Sequence, residues 1–491
     1  MKVSCSTTRI SENLTDRELS RQWENFPWDK AHVFVDRFQK RIAKAVKEGK
    51  YRLARRLQYL LTHSFFAKAL AVKKVIENRG KRTSGVDGVK WKLPHQRAKA
   101  IISLTDQGYR AKPLARIYIP KSNSDKMRPL SIPTYYDRAM QALYAMALQP
   151  WAETTSDRTS FGFRPYRGAQ DAAEYLFNCL SKRTSATYIL EGDIKGFFDN
   201  ISHEWLLRNI PMDKKILKEF LESGYLFEGA YHDTLTGTPQ GGLISPTLAN
   251  MALDGMETLL KSRFKGKKIH LTRYADDWVV TTESKEIAEE VKSVLETFLA
   301  ERGLSMAEEK TKIVHINEGF DFLSWNFRKY NGKLLIKPSK KAIATVTQSI
   351  STIIKNAKGW SQDILIAKLN PVITGWTMYH RTAVSSEIFS RMNSIIWGML
   401  WHWAKRRHPN KGNRWIAGKY WHSVNNSDWV FTTFTSTLRL FTDTKIRRHV
   451  LIQLNKNPYL DDEYFAQRIS GDKTRQTMIC TFFNSALTSG L

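Results

Sequence analysis

Cysteine is scarce. The 491 residues hold three, Cys5, Cys179 and Cys480, far apart in the chain. That spacing excludes a disulfide framework and a C-x-x-C zinc pair, and it suits a reducing cytosol. Long apolar runs are missing as well. No stretch approaches the ~18 continuous apolar residues of a membrane span, and the opening MKVSCSTTRISENLTDRELS lacks the apolar centre of a signal peptide. There is no internal repeat and no low-complexity tract. Acidic charge is the last deficit: 47 Asp and Glu face 77 Lys and Arg, for a net +30 and a pI near 9.9. A field of that sign calls for a polyanionic partner, most simply nucleic acid. What is present in quantity is apolar material, 42% hydrophobic and 12% aromatic, enough for large cores in two to four domains.

Residues 1–25 are polar and read as loose. Helical periodicity follows over 29–80, with Val33, Phe34, Phe38, Ile42, Ala43 and Val46, then Leu53, Leu57, Leu60 and Leu61, on the apolar face. Arg52, Arg55 and Arg56 fill the other face. PLARIYIPKSNSDKMRPLSIP (113–133) predicts a hairpin turning at Ser122–Asp125, and 137–150 returns to helix. The composition shifts from 338 onwards: residues 328–450 carry 21 Lys and Arg against four acids, with eight of the 15 tryptophans. Two segments there, 337–359 and 393–414, read as basic helices with an apolar stripe. Such helices also suit membrane surfaces, but arginines mixed with aromatics favour phosphate pairing and base stacking.

The acids that are present are pointedly placed. RYADDWVV (273–280) sets Asp276 beside Asp277 in an apolar run. Like charges repel and buried carboxylates are costly to desolvate. The flanks read as two strands and the acids as their turn. A plain Asx turn would satisfy that pattern; a divalent cation would make it favourable. Upstream by 83 residues stands YILEGDIKGFFDNISH (188–203), where Asp193 ends a strand-like run. A third carboxylate at a strand end is what a two-metal phosphoryl-transfer site needs.

The order of these and further motifs resembles reverse transcriptases, specifically the proteins encoded by bacterial group II introns. GVDG (85–88) is similar to the family's fingertip motif. RIYIPK…RPLSIPTYYDRAMQ (116–141) and SFGFRPYRGAQDA (160–172) look like its fingers motifs. DIKGFFDNISH, TPQGGLISPTLANMALDGME (238–257), YADD and LSMAEEKTKI (304–313) look like motifs A to D. GFDFLSW (319–325) resembles the primer grip and LNPVITGWTMYHR (369–381) the maturase segment.

The resemblance implies an α+β right-hand polymerase: helical fingers with an N-terminal helical extension, a palm with a small antiparallel sheet, a helical thumb and a basic helical maturase region. It implies two Mg²⁺ ions held by Asp193, Asp276, Asp277 and the Ile194 carbonyl. Lys121 and Arg128 would grip the triphosphate, Phe198 would exclude a 2′-hydroxyl, and Gln240, beside two glycines, would line the nucleotide pocket. Lys310 would protonate the leaving pyrophosphate. Gly319, Phe320 and Phe322 would hold the primer. Arg52, Arg55, Arg56, Lys340, Lys341, Arg406 and Arg407 are candidate RNA contacts. The implied partners are a group II intron RNA, template–primer duplex, target DNA and dNTPs, with no membrane, in the bacterial cytoplasm or at the nucleoid.

Expected regions are a flexible 1–28, an extension of the fingers over 29–112, fingers 113–182, palm 183–335, thumb and maturase 336–440, and a partial DNA-binding region with a tail over 441–491. The family's C-terminal HNH nuclease, with paired cysteines, has no counterpart here, so no endonuclease is expected. Two other readings stay open: a domesticated reverse transcriptase in DNA repair or phage defence, and an RNA-binding splicing cofactor whose polymerase site is unused.

Overall fold

The computed structural model describes residues 14–120, 127–424 and 427–470. Five helices lead the chain: α1 (Asp16–Glu24), α2 (Trp28–Lys47), α3 (Tyr51–Thr62), α4 (Phe65–Glu77) and α5 (Pro94–Ser103). The first corrects the expectation that 1–28 is flexible throughout. Thr15 and Glu18 form a capping box, and Leu19 and Trp23, one turn apart, are buried as α1 packs on α5. In α2 and α3 the buried stripe is Ala31, Val35, Ile42, Ala43, Val46, Leu57 and Leu61, whereas Val33, Leu53 and Leu60 are exposed. Arg52, Arg55 and Arg56 face solvent.

After the hairpin β1 (Leu114–Pro120) and β2 (Met127–Ile132) comes α6 (Tyr135–Thr155), buried along most of its length beneath α2, α3 and α4. Pro150 lies inside α6 and brings no N–H to the carbonyl four residues back. That carbonyl, Met146 O, instead accepts from the buried Gln39 amide at 2.8 Å.

Next follow α7 (Ala169–Leu180), β3 (Tyr188–Gly192), α8 (Phe197–Asn200), α9 (His203–Asn209), α10 (Lys214–Leu221), β4 (Tyr225–Phe227) and β5 (Ala230–His232). The fingers are not purely helical. β4 joins β1 in parallel, giving a four-stranded sheet in the order β2-β1-β4-β5. The palm continues with α11 (Ser245–Leu253), α12 (Met256–Arg263), β6 (His270–Tyr274), β7 (Asp277–Thr282), α13 (Lys285–Ala300) and β8 (Lys312–His315). Its sheet runs β6-β7-β3-β8, every pair antiparallel, with α13 packed on it. A three-stranded sheet of β9 (Phe320–Phe322), β10 (Trp325–Tyr330) and β11 (Lys333–Pro338) leads out of the palm.

The thumb is α14 (Lys340–Asn356), α15 (Gln362–His380), α16 (Ser386–Arg407) and α17 (Asn413–Tyr420), followed by the hairpin β12 (Trp421–Val424) and β13 (Ser427–Phe431). These elements share one core that includes Ile350, Leu369, Phe389 and Met392. The chain then runs back across the molecule to α18 (Asp462–Ser470). Asp171, on α7, accepts from His449 and Arg468 at 2.8 Å and from the Ile452 N–H at 3.1 Å. The Phe465 ring packs against Tyr166 at 4.9 Å, tilted by 40°, and Lys40 of α2 pairs with Asp462. Residues 447–470, within the stretch expected as a partial DNA-binding region, thus form an intramolecular strap onto α7 and α2. Among the described residues no helix is long and apolar enough to cross a membrane. The architecture is the right-hand polymerase fold.

Candidate active site

The β6–β7 hairpin pairs Tyr274 with Asp277, leaving Ala275 and Asp276 as a two-residue turn. Ala275 takes φ +57°, a conformation that L-residues seldom adopt without outside support. The support comes from SFGF. Phe161 N–H donates to Arg273 O at 2.8 Å and Arg273 N–H to Thr159 O at 3.0 Å, so this loop pairs along β6. Gly162 lies so close to the turn that an added Cβ would collide with the Ala275 nitrogen, and would sit 2.9 Å from the Tyr274 carbonyl carbon. Asn250 of α11 donates to Gly162 O at 2.8 Å.

Behind the turn the fully buried Arg273 side chain reaches Asp254 at 2.5 Å and Asn250 Oδ1 at 3.1 Å. Arg164 and Arg167 converge on the buried Glu153 at 2.6 and 3.1 Å. Burial alone would raise Glu153; the two guanidinium groups outweigh it and hold its carboxyl below the usual range. The hairpin thus stands on a buried ionic frame.

Asp193 follows the last residue of β3, between β7 and β8. Gly192 pairs with Trp278, whose ring fills the space a Cβ would need. The Asp193 carbonyl accepts from Ala307 N–H at 2.9 Å, and Ile194 bridges Met306. Its carboxylate pairs with the Lys310 ammonium, and that bond, first, raises the Lys310 pKa. Poor solvation raises Asp276, with the charge of Asp193 adding and Arg128 and Lys310 opposing. Asp277 stays open to the cleft, yet it is pushed up to about 7 by lost solvation, then by Asp276 and Asp193. The three acids therefore sense one another across a shared space.

They line a cleft of about 1000 Å³. Arg128, Phe198, Gln240, Lys310, Gly319, Phe320 and Phe322 line it too; Lys121 lies outside the described residues. Phe198 stands edge-on to Phe163 at 6.3 Å. Gln240 approaches Asp199 at 3.3 Å. Phe320 and Phe322 line the cleft from a core they share with Phe327 and Trp325. Gly241 and Gly242, beside Gln240, line the cleft as well. A Cβ on Gly241 would meet Ser131 O at 2.7 Å and one on Gly242 would meet Ser245 Oγ at 2.5 Å, so these glycines seat the loop against β2 and α11.

Lys341 is exposed, lines the same cleft and acts on Asp277. Lys340 and Arg406 are exposed. Arg407 donates to Lys358 O and Trp360 O at 3.1 and 2.7 Å, which ties α16 to the α14–α15 loop. Sequence reasoning missed Arg273, Gly162, Asn250 and Asp254, although all sit inside the motifs quoted. It also missed Glu191, pushed up to about 7 by burial and then by Asp321 in the same cleft.

Among the described residues no three acid, His or Cys side chains close into a metal cage. An open set of carboxylates still fits Mg²⁺, which is commonly held by one or two carboxylates with substrate phosphates completing its shell. The mutual repulsion of Asp276, Asp277 and Asp193, and a lysine drawn to Asp193, mark where positive charge is wanted.

Comparison with known proteins decides the affiliation. The family described as reverse transcriptase (RNA-dependent DNA polymerase) matches residues 119–327, which include all three acids. The N-terminal domain of reverse transcriptase matches 23–104, and the group II intron maturase-specific domain matches 343–421. Protein YkfC of Escherichia coli is 30% identical over 339 residues, 59% of this chain and 87% of that one. The chain belongs to the group II intron reverse transcriptase/maturase family. It is also similar to the group II intron-encoded protein LtrA of Lactococcus lactis, 28% identical over 456 residues, covering 78% of this chain and 75% of that one. Maturase-like protein 1 of Euglena gracilis is 24% identical over 372 residues, 73% and 77% of the two chains. The reverse-transcriptase match spans palm and fingers, and the maturase match spans most of α14 through Trp421.

Proposed function

We propose that this chain is an RNA-directed DNA polymerase that binds a group II intron RNA, assists its splicing and copies it into DNA during retrotransposition. The carrying observation is the meeting of Asp193, Asp276 and Asp277 in one cleft with Arg128, Phe198 and Gln240. Divalent cations, Mg²⁺ on this reading and two per site, would be held by the three carboxylates and the Ile194 carbonyl and would supply an activated primer 3′-hydroxyl and charge neutralisation at the leaving pyrophosphate.

The remaining work falls to the chain's own groups, as positioning and charge stabilisation. Arg128 offers a planar fork to triphosphate oxygens. The Phe198 ring lies under the sugar and leaves no room for a 2′-hydroxyl. Gln240 faces the incoming nucleotide. Lys310 leaves Asp193 when substrate arrives and holds a proton for pyrophosphate. The Gly319–Phe322 backbone steadies the primer strand. Lys340 and the exposed arginines meet RNA phosphates. The work takes place where the RNA is transcribed, in the cytoplasm and at the nucleoid.

Primer extension on an RNA template with Mg²⁺ tests the proposal. Asp276→Asn should lose at least ~10³-fold in rate while keeping RNA affinity within about twofold. Extension by the variant at the wild-type rate would overturn the assignment of the acids. No extension by the wild type would favour an RNA-binding cofactor with an unused site.

A further inference from the structure

We infer that the tryptophan cluster on α16 and the β12–β13 hairpin is a stacking platform for unpaired RNA bases. The inference rests on the reading of the chain as an intron-RNA binder and assigns it a site and a ligand class. Trp397 and Trp401 are one helical turn apart and stack at 5.4 Å with planes 9° apart. The buried Trp421 lies beneath them, at 5.8 and 5.3 Å. Trp429 meets Trp397 edge-on at 6.5 Å.

Two of these rings face solvent: Trp397 is 38% exposed and Trp429 57%. The exposure is not a failure of core packing. The apolar stripe of α16 is Phe389, Met392, Ile396, Leu400 and Trp403, and that stripe is buried in the thumb. Trp401 packs partly buried against that core, and Trp397, one turn away, lies at its solvent edge. Trp429 also sits at φ +60°, at the bulge where β13 carries one residue more than β12, a device that re-aims a side chain.

Charge selects the occupant. The surrounding segment 328–450 has 21 Lys and Arg and four acids. Lys405 lies 5.9 Å from the Trp401 ring, and Arg406 beside it is exposed. A ring face with cations at its edge matches a base with its phosphate. A duplex hides its base faces in its own stack, so the platform fits bases in loops, bulges or single strands. A membrane surface fits less well. Asp428, adjacent to Trp429, is held by Ser423 at 2.6 Å, and the apolar face of α16 is already spent in the core.

The test uses the full chain with unlabelled template–primer duplex already in the polymerase cleft. The probes are a labelled 12-nucleotide oligouridylate, an RNA duplex of equal length, and vesicles of phosphatidylcholine with phosphatidylserine. Trp429→Ala should weaken oligouridylate binding about 5- to 100-fold, the range for losing one base stack. Trp429→Phe should stay within about threefold of wild type. Duplex affinity, primer-extension rate and the slope of affinity against salt should not change, because no phosphate contact is removed. Trp397→Ala should behave likewise, with a thermal melt checking its fold; the more exposed Trp429 keeps the test open if it unfolds.

Unchanged oligouridylate affinity in Trp429→Ala would overturn the inference. So would an equal loss on duplex, a salt slope smaller by about one, or loss of vesicle binding alone. Failure of the wild type to extend primers would strike the polymerase reading and leave this binding result standing.

Discussion

Two residues show how far local sequence reaches. Asp277 was legible, because adjacent acids in an apolar run demand a compensating charge wherever they fold. Its carboxyl, pushed up to about 7, holds a proton more tightly in the fold than in the unfolded chain. Metal-free protein should therefore lose stability as pH rises from about 4 to 7 and change little above that on this account. Asp277→Asn removes the titration. In EDTA at pH 8 it should melt about 1–3 °C above wild type, with the gap closing towards pH 4, while polymerisation is lost. A lower melting temperature at pH 8 would contradict the clustering of charge. Gly162 was not legible as a support, since its role depends on the backbone of residues 274–275 more than a hundred positions away. Gly162→Ala should displace the YADD turn. A stability loss of about 1–3 kcal/mol and at least a tenfold slower extension are expected, read by denaturant melts and single-turnover kinetics.

At the scale of elements, hairpins were readable and their alliances were not. β1–β2 and β6–β7 fold back on themselves, so alternation and turn residues announce them. β4 is three residues long and joins β1 in parallel; nothing in Tyr225–Phe227 distinguishes it from a loop. The frame behind the β6–β7 hairpin is similarly dispersed, drawing on α6, α11, β6 and the loop before α7. Arg273 is its keystone, buried and paired with Asp254 at 2.5 Å. Arg273→Met leaves Asp254 a buried charge without its partner, a change that costs about 3–5 kcal/mol. Arg273→Met with Asp254→Leu removes both charges and should recover most of that loss in a denaturant melt. If the double variant is no more stable than the single one, the stranded Asp254 charge is not what destabilises Arg273→Met.

The whole molecule closes on itself in a way that composition hides. Residues 447–470 lie within the stretch expected as a partial DNA-binding region, and they return from the thumb to α7 and α2. Phe465 is buried against Tyr166, and Asp171 gathers His449, Arg468 and the Ile452 N–H. A thumb that meets the palm only through the β9–β11 sheet would be free to swing; this strap gives it a second attachment, at α7 and α2. Removing a buried phenyl costs about 3–5 kcal/mol, comparable to what one short helix gains by docking. Phe465→Ala should therefore release α18 without unfolding the rest, seen as faster amide exchange over 462–470 and a new site of limited proteolysis. Single-nucleotide addition should keep its wild-type rate, because the acids and their frame are untouched. Extension against a trap should end after fewer nucleotides, because a thumb attached on one side grips the duplex less firmly. Unchanged exchange over 462–470 would show that the strap is held elsewhere, and unchanged processivity with a freed α18 would show that the sheet alone fixes the thumb.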